Sequence, residues 1–301
     1  MDAVSLENVT KRFDSLVAVS DLSLQIEQGA VFGLLGPNGA GKTTSLRMIM
    51  HILAPDEGSI QVLGQPVSDR TQDLIGYLPE ERGLYNRMKV REVLVFLAAL
   101  KGLGQAEASI RVHQWLERLD LAAWSEKKVN DLSKGMQQKA QFIAAVIHRP
   151  RLLILDEPFT GLDPVNATTV KDIMLELRGQ GATIILSTHR MEQVEMMCDA
   201  IRLINHGHSV LAGDLRAIKK SYGKNTVRIE FEGNDGFLNV PDLVDTVNRF
   251  GAVVEAKLRP GADPQELLRA AVARGARLTR FELIEPPLHD IFIEKVSEAH
   301  A

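Results

Sequence analysis

The sequence predicts an α/β protein built on a parallel sheet. Two short apolar runs, "RLLILDEP" at 151–158 and "ATIILSTH" at 182–189, have the composition of strands that are buried on both faces of such a sheet. A helix is predicted from Lys42, since apolar residues recur there on one face: Leu46, Ile49, Met50 and Leu53. Strands that alternate with helices are joined by right-handed crossovers, which gives an α/β fold.

The remaining elements follow in chain order and divide into two domains. Residues 1–35 contain strands in "AVSLENV", "LSLQI" and "AVFGLL", and residues 90–120 are predicted to be helical. The composition changes near "KKSYGKN" at 219–225. We therefore predict a first domain at 1–220 and a smaller α/β domain at 221–301.

The smaller domain begins with "TVRIEFE", whose alternating apolar residues predict a strand. A helix is predicted near 242–250, followed by "AVVEAKL". Asp263 and Pro264 are a favourable N-cap and first-turn pair for a helix that ends near residue 274. The segment "RLTRFELI" and a final helix in "LHDIFIEKV" complete this domain.

The charge balance and hydropathy narrow the possible partners. With 35 basic and 39 acidic residues the net charge is −4, so no nucleic-acid partner is expected. The first residues, "MDAVSLENVTKRF", do not resemble a signal peptide, and no apolar run approaches the ~20 residues of a membrane-spanning helix. We therefore expect a cytoplasmic chain that needs a partner for any work at a membrane. Cys198 is expected to fill core space.

The segment "GPNGAGKTT" at 36–44 has the spacing of a phosphate-binding P-loop, with a predicted strand before it and a helix after it. Its glycines let backbone N–H groups point at phosphate oxygens, and the helix N-terminus adds its positive end. Lys42 can reach the β- and γ-phosphates, and the Thr43 hydroxyl can bind Mg²⁺. The candidate phosphate-binding residues are Gly36, Pro37, Asn38, Gly39, Ala40, Gly41, Lys42, Thr43 and Thr44.

Polar residues end the two buried strands. Asp156 can hold the Mg²⁺ shell, and Glu157 can orient and deprotonate an attacking water. His189 follows the second strand, and ligands of open α/β sheets bind beyond the carboxyl ends of strands. An acidic pair that only closes a strand, and a structural histidine, are the alternatives. Beside a P-loop we favour the catalytic interpretation of Glu157 and His189, together with Lys42.

A second anion-type site is predicted in "LSKGMQQ" at 132–138. Ser133 can cap a helix that opens at Lys134 and is stopped by Pro150. A capped helix N-terminus can also hold an anion. An ordinary capped helix and a phosphate site are equally compatible with these residues.

The chain resembles the ATP-binding-cassette (ABC) ATPases. "GPNGAGKTT", "LSKGM", "LLILDEP", "TGLD" and "STH" occur in the order and spacing of that family, over about residues 1–215. The resemblance implies a P-loop NTPase cassette with a mixed sheet core and a helical subdomain at about 86–150. It also implies ATP and Mg²⁺ as ligands. Two cassettes of this family stack head to tail, which implies a second cassette subunit as partner, here as a homodimer.

The same resemblance assigns further residues. Ser133 and Gly135 would contact the ATP that is held by the opposite subunit, and Asp163 would lie in the loop that touches that subunit. Phe13 resembles the aromatic residue that stacks on adenine, with a core phenylalanine as the alternative. Glu80 stands where the family usually has a glutamine that links Mg²⁺ to the transport partner, with a solvated acidic residue as the alternative.

The chain departs from the family pattern at three positions. Lys134 replaces a glycine and Met136 replaces a glutamine in the usual signature Leu-Ser-Gly-Gly-Gln, while Ser133 and Gly135 are retained. Glu80 can bind a metal ion but has no amide N–H to donate. ATP binding should survive these changes, and coupling to a transport partner is the property that the missing amide N–H would affect.

Two further segments, one of them near the C-terminus, narrow the resemblance to one group of ABC ATPases. "PPLHDIFIEKV" and "GYLPEERGLY" resemble the ATPase subunits of ABC-2-type exporters, which include drug- and sodium-extrusion systems. The expected protein is an ATP-hydrolysing subunit, peripheral on the inner face of the cell membrane, that powers export through a separate transmembrane permease. A soluble ABC ATPase with a mechanical or regulatory role is the alternative. A nucleotide-gated binding module with weak hydrolysis is a third interpretation.

Overall fold

The computed structural model describes residues 1–81, 83–222 and 225–298 and divides the chain into two compact units. The first unit is Met1–Gly213 and the second is Asp214–Ala301. The division lies before the helix Leu215–Ser221, whereas the composition change predicts a boundary between residues 220 and 221. The Asp214 side chain caps that helix by accepting a hydrogen bond from the N–H of Ala217 at 2.8 Å.

The first unit contains ten strands and seven α-helices among the described residues. In chain order they are β1 (Asp2–Phe13), β2 (Leu16–Glu27), β3 (Val31–Leu35), α1 (Lys42–Ile49), β4 (Glu57–Val62), β5 (Gln65–Pro66), α2 (Asp69–Gln72), β6 (Ile75–Leu78), α3 (Val90–Leu100), α4 (Gln105–Arg118), α5 (Lys134–Val146), β7 (Leu152–Asp156), α6 (Pro164–Gly179), β8 (Thr183–Thr188), α7 (Met191–Met197), β9 (Ala200–Asn205) and β10 (His208–Asp214).

Two sheets build this unit. The first has the order β2-β1-β4-β5 and is antiparallel, and the second has the order β10-β9-β3-β8-β7-β6. Strands β9, β3, β8, β7 and β6 pair in parallel, so their carboxyl ends lie along one edge. Strands β3, β7 and β8 are buried throughout, as the continuous apolar runs predicted. The mixed α/β core is therefore confirmed.

Helix α1 shares one hydrophobic core with residues from both sheets. Leu46, Met48 and Ile49 from α1 join strand residues such as Leu34 and Ile60 in a continuous buried cluster. The predicted helical face is confirmed for Leu46 and Ile49, and α1 ends before Leu53. This packing fixes the N-terminus of α1 at the carboxyl end of β3.

Helices α3, α4 and α5 pack against one another and form the helical part of the first unit. Helix α5 begins after Ser133, whose hydroxyl accepts a hydrogen bond from the N–H of Met136 at 3.3 Å. The predicted cap is thus present. The helix ends at Val146, and Arg149, with a φ of 57°, turns the chain before Pro150.

The second unit is an antiparallel sheet with helices. It contains α8 (Leu215–Ser221), β11 (Thr226–Glu232), β12 (Val244–Phe250), β13 (Val253–Leu258), α9 (Pro264–Ala273), β14 (Arg277–Ile284) and α10 (Leu288–Glu298). The strand order is β12-β13-β11-β14. Helix α9 packs on one face of the sheet, where Leu267 and Ala271 join Val227, Ile229 and Phe237 in a separate core.

One predicted element of the second unit is wrong. Residues 242–250 were expected to form a helix, but Val244–Phe250 is strand β12 and pairs antiparallel with β13. The pairing of Phe250 with Val253 leaves a two-residue turn, and Gly251 there has a φ of 63°. A glycine with positive φ suits a tight hairpin, and β13 offers its edge for pairing. These tertiary interactions outweigh the helical spacing of Val244, Val247 and Phe250.

Candidate functional site

The P-loop is the connection between β3 and α1, and two of its glycines, Gly36 and Gly41, are required by close backbone contacts. Gly36 has a φ of 151°, and a Cβ there would lie 2.1 Å from the carbonyl oxygen of Ile204. Gly41 has a φ of 107°, and a Cβ there would lie 2.4 Å from the carbonyl oxygen of Ala18. Larger residues would push the loop away from its neighbours, so the sequence fixes a compact loop at the start of α1.

The Lys42 side chain folds back over the loop. Its Nζ donates hydrogen bonds to the carbonyl oxygens of Gly36 at 2.8 Å and Pro37 at 3.0 Å. Burial lowers the pKa of the Lys42 ammonium, while the carboxylates of Glu157 and Asp156 act in the opposite direction. The cation is thus held at the loop by groups that anionic phosphate oxygens could replace.

The P-loop and the end of β7 are joined by one side-chain contact. The Thr43 hydroxyl donates a hydrogen bond to Asp156 Oδ2 at 3.0 Å. Burial raises the pKa of the Asp156 carboxyl, and the bond from Thr43 partly offsets this effect. A hydroxyl and a buried carboxylate therefore lie together beside the first turn of α1.

Glu157 is held by donors from the end of β8. Its Oε2 accepts a hydrogen bond from the Thr188 hydroxyl at 3.0 Å, and its Oε1 accepts one from the His189 backbone N–H at 2.9 Å. The Nδ1 of His189 lies 2.6 Å from the same Oε1. Glu157 is 6% exposed and has a φ of 50°, a conformation that is strained for a residue with a side chain.

These groups border one cavity of about 450 Å³. Its lining residues are Phe13, Leu16, Val17, Ala18, Asn38, Gly39, Ala40, Gly41, Lys42, Thr43, Thr44, Glu80, Asp156, Glu157 and His206. Most of the residues that the sequence singled out are thereby brought together. Phe13 ends β1 with 42% of its surface exposed, so it is not a core residue.

Some predicted residues lie next to the cavity rather than on its wall. Gly36 and Pro37 contribute carbonyl oxygens to Lys42, and His189 touches Glu157. Ser133 and Gly135 are not among the residues that line the cavity of their own chain.

Gly135 instead lies near the "TGLD" loop. A Cβ on Gly135 would approach the carbonyl oxygen of Gly161 to 3.0 Å. In that loop Asp163 caps α6, and its carboxylate accepts hydrogen bonds from the backbone and side chain of Asn166, which lower the pKa of Asp163. Ser133 and Lys134 are exposed. The two motifs therefore form one solvent-facing surface.

Sequence reasoning missed four residues of the cavity wall. Leu16, Val17 and Ala18 belong to the start of β2, and His206 belongs to the turn between β9 and β10. Gly207 signals a turn. Nothing in its local sequence shows that the turn reaches the P-loop, because this approach depends on the tertiary packing.

Comparison with known proteins places the chain in a family. Residues 19–160 match the family described as "ABC transporter", and residues 213–296 match "ATP-binding protein DrrA1-3-like, C-terminal domain". An uncharacterized ABC transporter ATP-binding protein, YhaQ of Bacillus subtilis (strain 168), is 45% identical over 297 residues and covers 99% of both chains. The chain belongs to the ABC transporter ATP-binding proteins.

Other relatives agree with this membership. The linearmycin resistance ATP-binding protein LnrL of Bacillus subtilis is 32% identical, over 95% of this chain and 96% of that protein. The Nod factor export ATP-binding protein I of Rhizobium sp. (strain N33) is 34% identical, over 97% of this chain and 96% of that protein. A solved structure, "Structure of ATP binding subunit of ABC transporter", has a TM-score of 0.69 at 29% identity and covers 73% of this chain and 93% of that one.

The family membership confirms the predicted ABC cassette and its ATPase activity, as well as the small C-terminal domain. Within residues 1–81, 83–222 and 225–298, every helix of this ABC ATPase is too short or too polar to cross a membrane.

Proposed function

We propose that this ABC ATPase hydrolyses ATP between two cassettes and powers export through a separate membrane subunit. The observation that carries the proposal is the position of Glu157. Its buried carboxylate lines the cavity that also contains Lys42 and the P-loop, and donors on both of its oxygens fix its orientation.

In this proposal ATP lies along the cavity with its base on Phe13. The Phe13 ring is exposed, and the Lys11 ammonium lies 5.6 Å from the ring centre. The P-loop N–H groups bind the phosphates, and Lys42 exchanges the carbonyl oxygens of Gly36 and Pro37 for phosphate oxygens.

The donor set at the other end of the cavity fits Mg²⁺. The Thr43 hydroxyl, the Asp156 carboxylate and Glu80 are oxygen ligands, and protein sites for Mg²⁺ often supply only one or two carboxylates beside phosphate oxygens. When bound there, the ion would neutralise charge on the phosphates. We assign these three residues to hold it.

Glu157 is proposed as the general base. It would accept a proton from the water that attacks the γ-phosphate, while the N–H of His189 keeps Oε1 in place. His189, whose ring contacts the same oxygen and whose side chain is half exposed, would bind the γ-phosphate or orient the water. Lys42 would stabilise the charge that develops on the phosphates.

A second cassette would account for the position of Ser133 and Gly135 away from the cavity of their own chain. Ser133 is exposed at the N-terminus of α5, where N–H groups and the helix dipole favour an anion. We propose that this surface completes the ATP site of a second copy of the chain and that Asp163 borders the same interface.

An apolar groove in the helical part supports a membrane partner. The groove has a volume of about 260 Å³, and its walls include Tyr77, Leu84, Leu97 and Leu100. Leu100 on this wall is 63% exposed, and an exposed apolar surface of this kind suits a segment of another protein.

The groove also adjoins the ATP cavity along the chain. Glu80 lines the cavity, whereas Gly83 and Leu84 line the groove. Gln141 Nε2 in the groove donates a hydrogen bond to the carbonyl oxygen of Glu81 at 3.2 Å. A partner seated in the groove would therefore sense movement at the metal-binding end of the cavity. The exported compound would be selected by that membrane subunit.

The substitution Glu157→Gln tests the hydrolytic part of the proposal. It keeps the shape of the side chain, and the Thr188 hydroxyl can turn to Gln193 Oε1, which lies 3.4 Å away. A positioned general base contributes ~10²–10⁴-fold, so turnover should fall by that factor while ATP affinity persists. ATP hydrolysis by the purified variant at a near wild-type rate would exclude Glu157 as the base.

A further inference from the structure

The turn between β9 and β10 presents a histidine to the ATP cavity. His206 and Gly207 are its two residues, with φ values of 46° and 79°. Two-residue hairpin turns with positive φ at both positions match the twist of their strands, and asparagine is the favoured first residue. His206 stands at that first position and lines the cavity.

This turn is held firmly against the nucleotide-binding elements. The N–H of Gly207 donates to the carbonyl oxygen of Ala40 in the P-loop at 2.9 Å, and the N–H of Ser20 donates to the carbonyl oxygen of Gly207 at 2.9 Å. A Cβ on Gly207 would lie 3.0 Å from the carbonyl oxygen of Ala18. His206 therefore has a fixed position between the start of β2 and the P-loop.

The distribution of polar groups around the cavity shows what His206 can bind. The other polar side chains on its wall come from residues 38–44, Glu80 and residues 156–157, which serve the phosphate and metal end. Near Phe13 the described wall consists of Leu16, Val17 and Ala18. A nucleotide whose base lies on Phe13 and whose phosphates lie in the P-loop has its ribose hydroxyls between these two regions.

We propose that His206 is a specificity-determining residue that hydrogen-bonds a ribose hydroxyl of the bound nucleotide. The imidazole carries both a donor and an acceptor nitrogen in its neutral form, which matches a hydroxyl group. The inference rests on the proposed position of ATP along the cavity. Its consequence is that the cassette selects ribonucleotides over deoxyribonucleotides through a residue of the β9–β10 turn.

The test compares binding of ATP, 2′-deoxy-ATP and 3′-deoxy-ATP to the full chain by calorimetry. His206→Gly keeps the turn, because Gly-Gly is also a favoured two-residue turn with positive φ, and it removes every side-chain donor and acceptor. His208 on β10 does not line the cavity, so His208→Ala is the control. Both variants should unfold at the wild-type temperature in the absence of nucleotide.

The wild type and His208→Ala should bind ATP about two- to twelve-fold more tightly than one of the deoxynucleotides, which is the value of one hydrogen bond. His206→Gly should weaken ATP binding by that factor and abolish the preference. Unchanged discrimination in His206→Gly, or an equal loss for all three nucleotides, would overturn the inference. Failure of the proposed function would look different, since ATP binding would then persist without hydrolysis in the wild type.

Discussion

Glu80 and Glu81 are neighbouring exposed carboxylates with different surroundings. Glu80 lines the ATP cavity, while Glu81 is outside it and contributes a carbonyl oxygen to Gln141. If Glu80 holds Mg²⁺, Glu80→Ala should raise the Mg²⁺ concentration needed for half-maximal turnover about ten-fold or more, since loss of even an outer-shell partner typically lowers metal affinity about 10–100-fold. Glu81→Ala is the control. A Mg²⁺ dependence of hydrolysis that is the same in both variants and the wild type would remove Glu80 from the metal site.

Among single residues, the sequence predicted the polar residues that follow buried strands, but it did not predict the hydrogen bonds that fix their side chains. Asp156 and Glu157 end an apolar run, and this position places them at the sheet edge where the P-loop also lies. The bond from Thr188 to Glu157 joins residues from neighbouring strands. It depends on the parallel register of β7 and β8, which no local pattern records. The approach of His206 to the cavity escaped prediction for the same reason.

Among the elements, helices α1, α3, α4 and α5 were predictable from the sequence and strand β12 was not. Helix α5 has a serine cap and an apolar face, so its local preference and its packing agree. Residues 244–250 have helical apolar spacing, yet they pair with β13 through a turn at Gly251. A short segment whose apolar spacing fits either a helix or a strand forms a strand when an adjacent strand is available for pairing.

The helical part should be sensitive to acid through His148, at the end of α5. Burial, and secondly the charge of Lys101, lower the pKa of His148 from its ordinary 6.5 to about 4. Between these values the unfolded chain binds more protons than the folded one. The contribution of neutral His148 to the free energy of unfolding is therefore complete above pH 6.5 and is lost as the pH falls toward 4.

We expect acidification from pH 7 to pH 5 to lower the free energy of unfolding by on the order of 2 kcal/mol more in the wild type than in His148→Gln. Denaturant unfolding at both pH values measures this difference. His113→Gln changes a histidine on α4 whose side chain is 70% exposed and should behave as the wild type. If His148→Gln loses as much stability as the wild type, the ring does not stay neutral in the fold.

The groove beside α3 gives a second prediction at the element scale. Leu100 is 63% exposed and lines the groove, whereas Ile110 is 60% exposed on α4 outside it. A buried charge without a partner is costly, so Leu100→Asp should prevent co-purification with the co-expressed membrane subunit. Ile110→Asp should co-purify normally, and both should hydrolyse ATP without the partner. Normal co-purification of Leu100→Asp would place the membrane subunit elsewhere.

For the whole molecule, the central claim is that two incomplete half-sites in one chain are completed by a second copy. Lys42 and Glu157 border the cavity of their own chain, while Ser133 faces solvent at the start of α5. Two different lesions should therefore complement. In a mixed dimer of Lys42→Ala and Ser133→Arg chains, one interface joins the intact Lys42 to the intact Ser133, and the other interface collects both lesions.

The most direct measurement is dimer formation by these variants with ATP, with Glu157→Gln in every chain so that ATP is not consumed. Each variant alone should remain monomeric on size exclusion, and Ser109→Arg, a change on α4, should dimerise as a control. The mixture should form an ATP-dependent dimer, also detected by a cross-link across the interface, that holds about one tightly bound nucleotide. If Glu157→Gln chains dimerise normally but neither assay detects the mixed dimer, Ser133 does not act on the opposite site and only caps its helix.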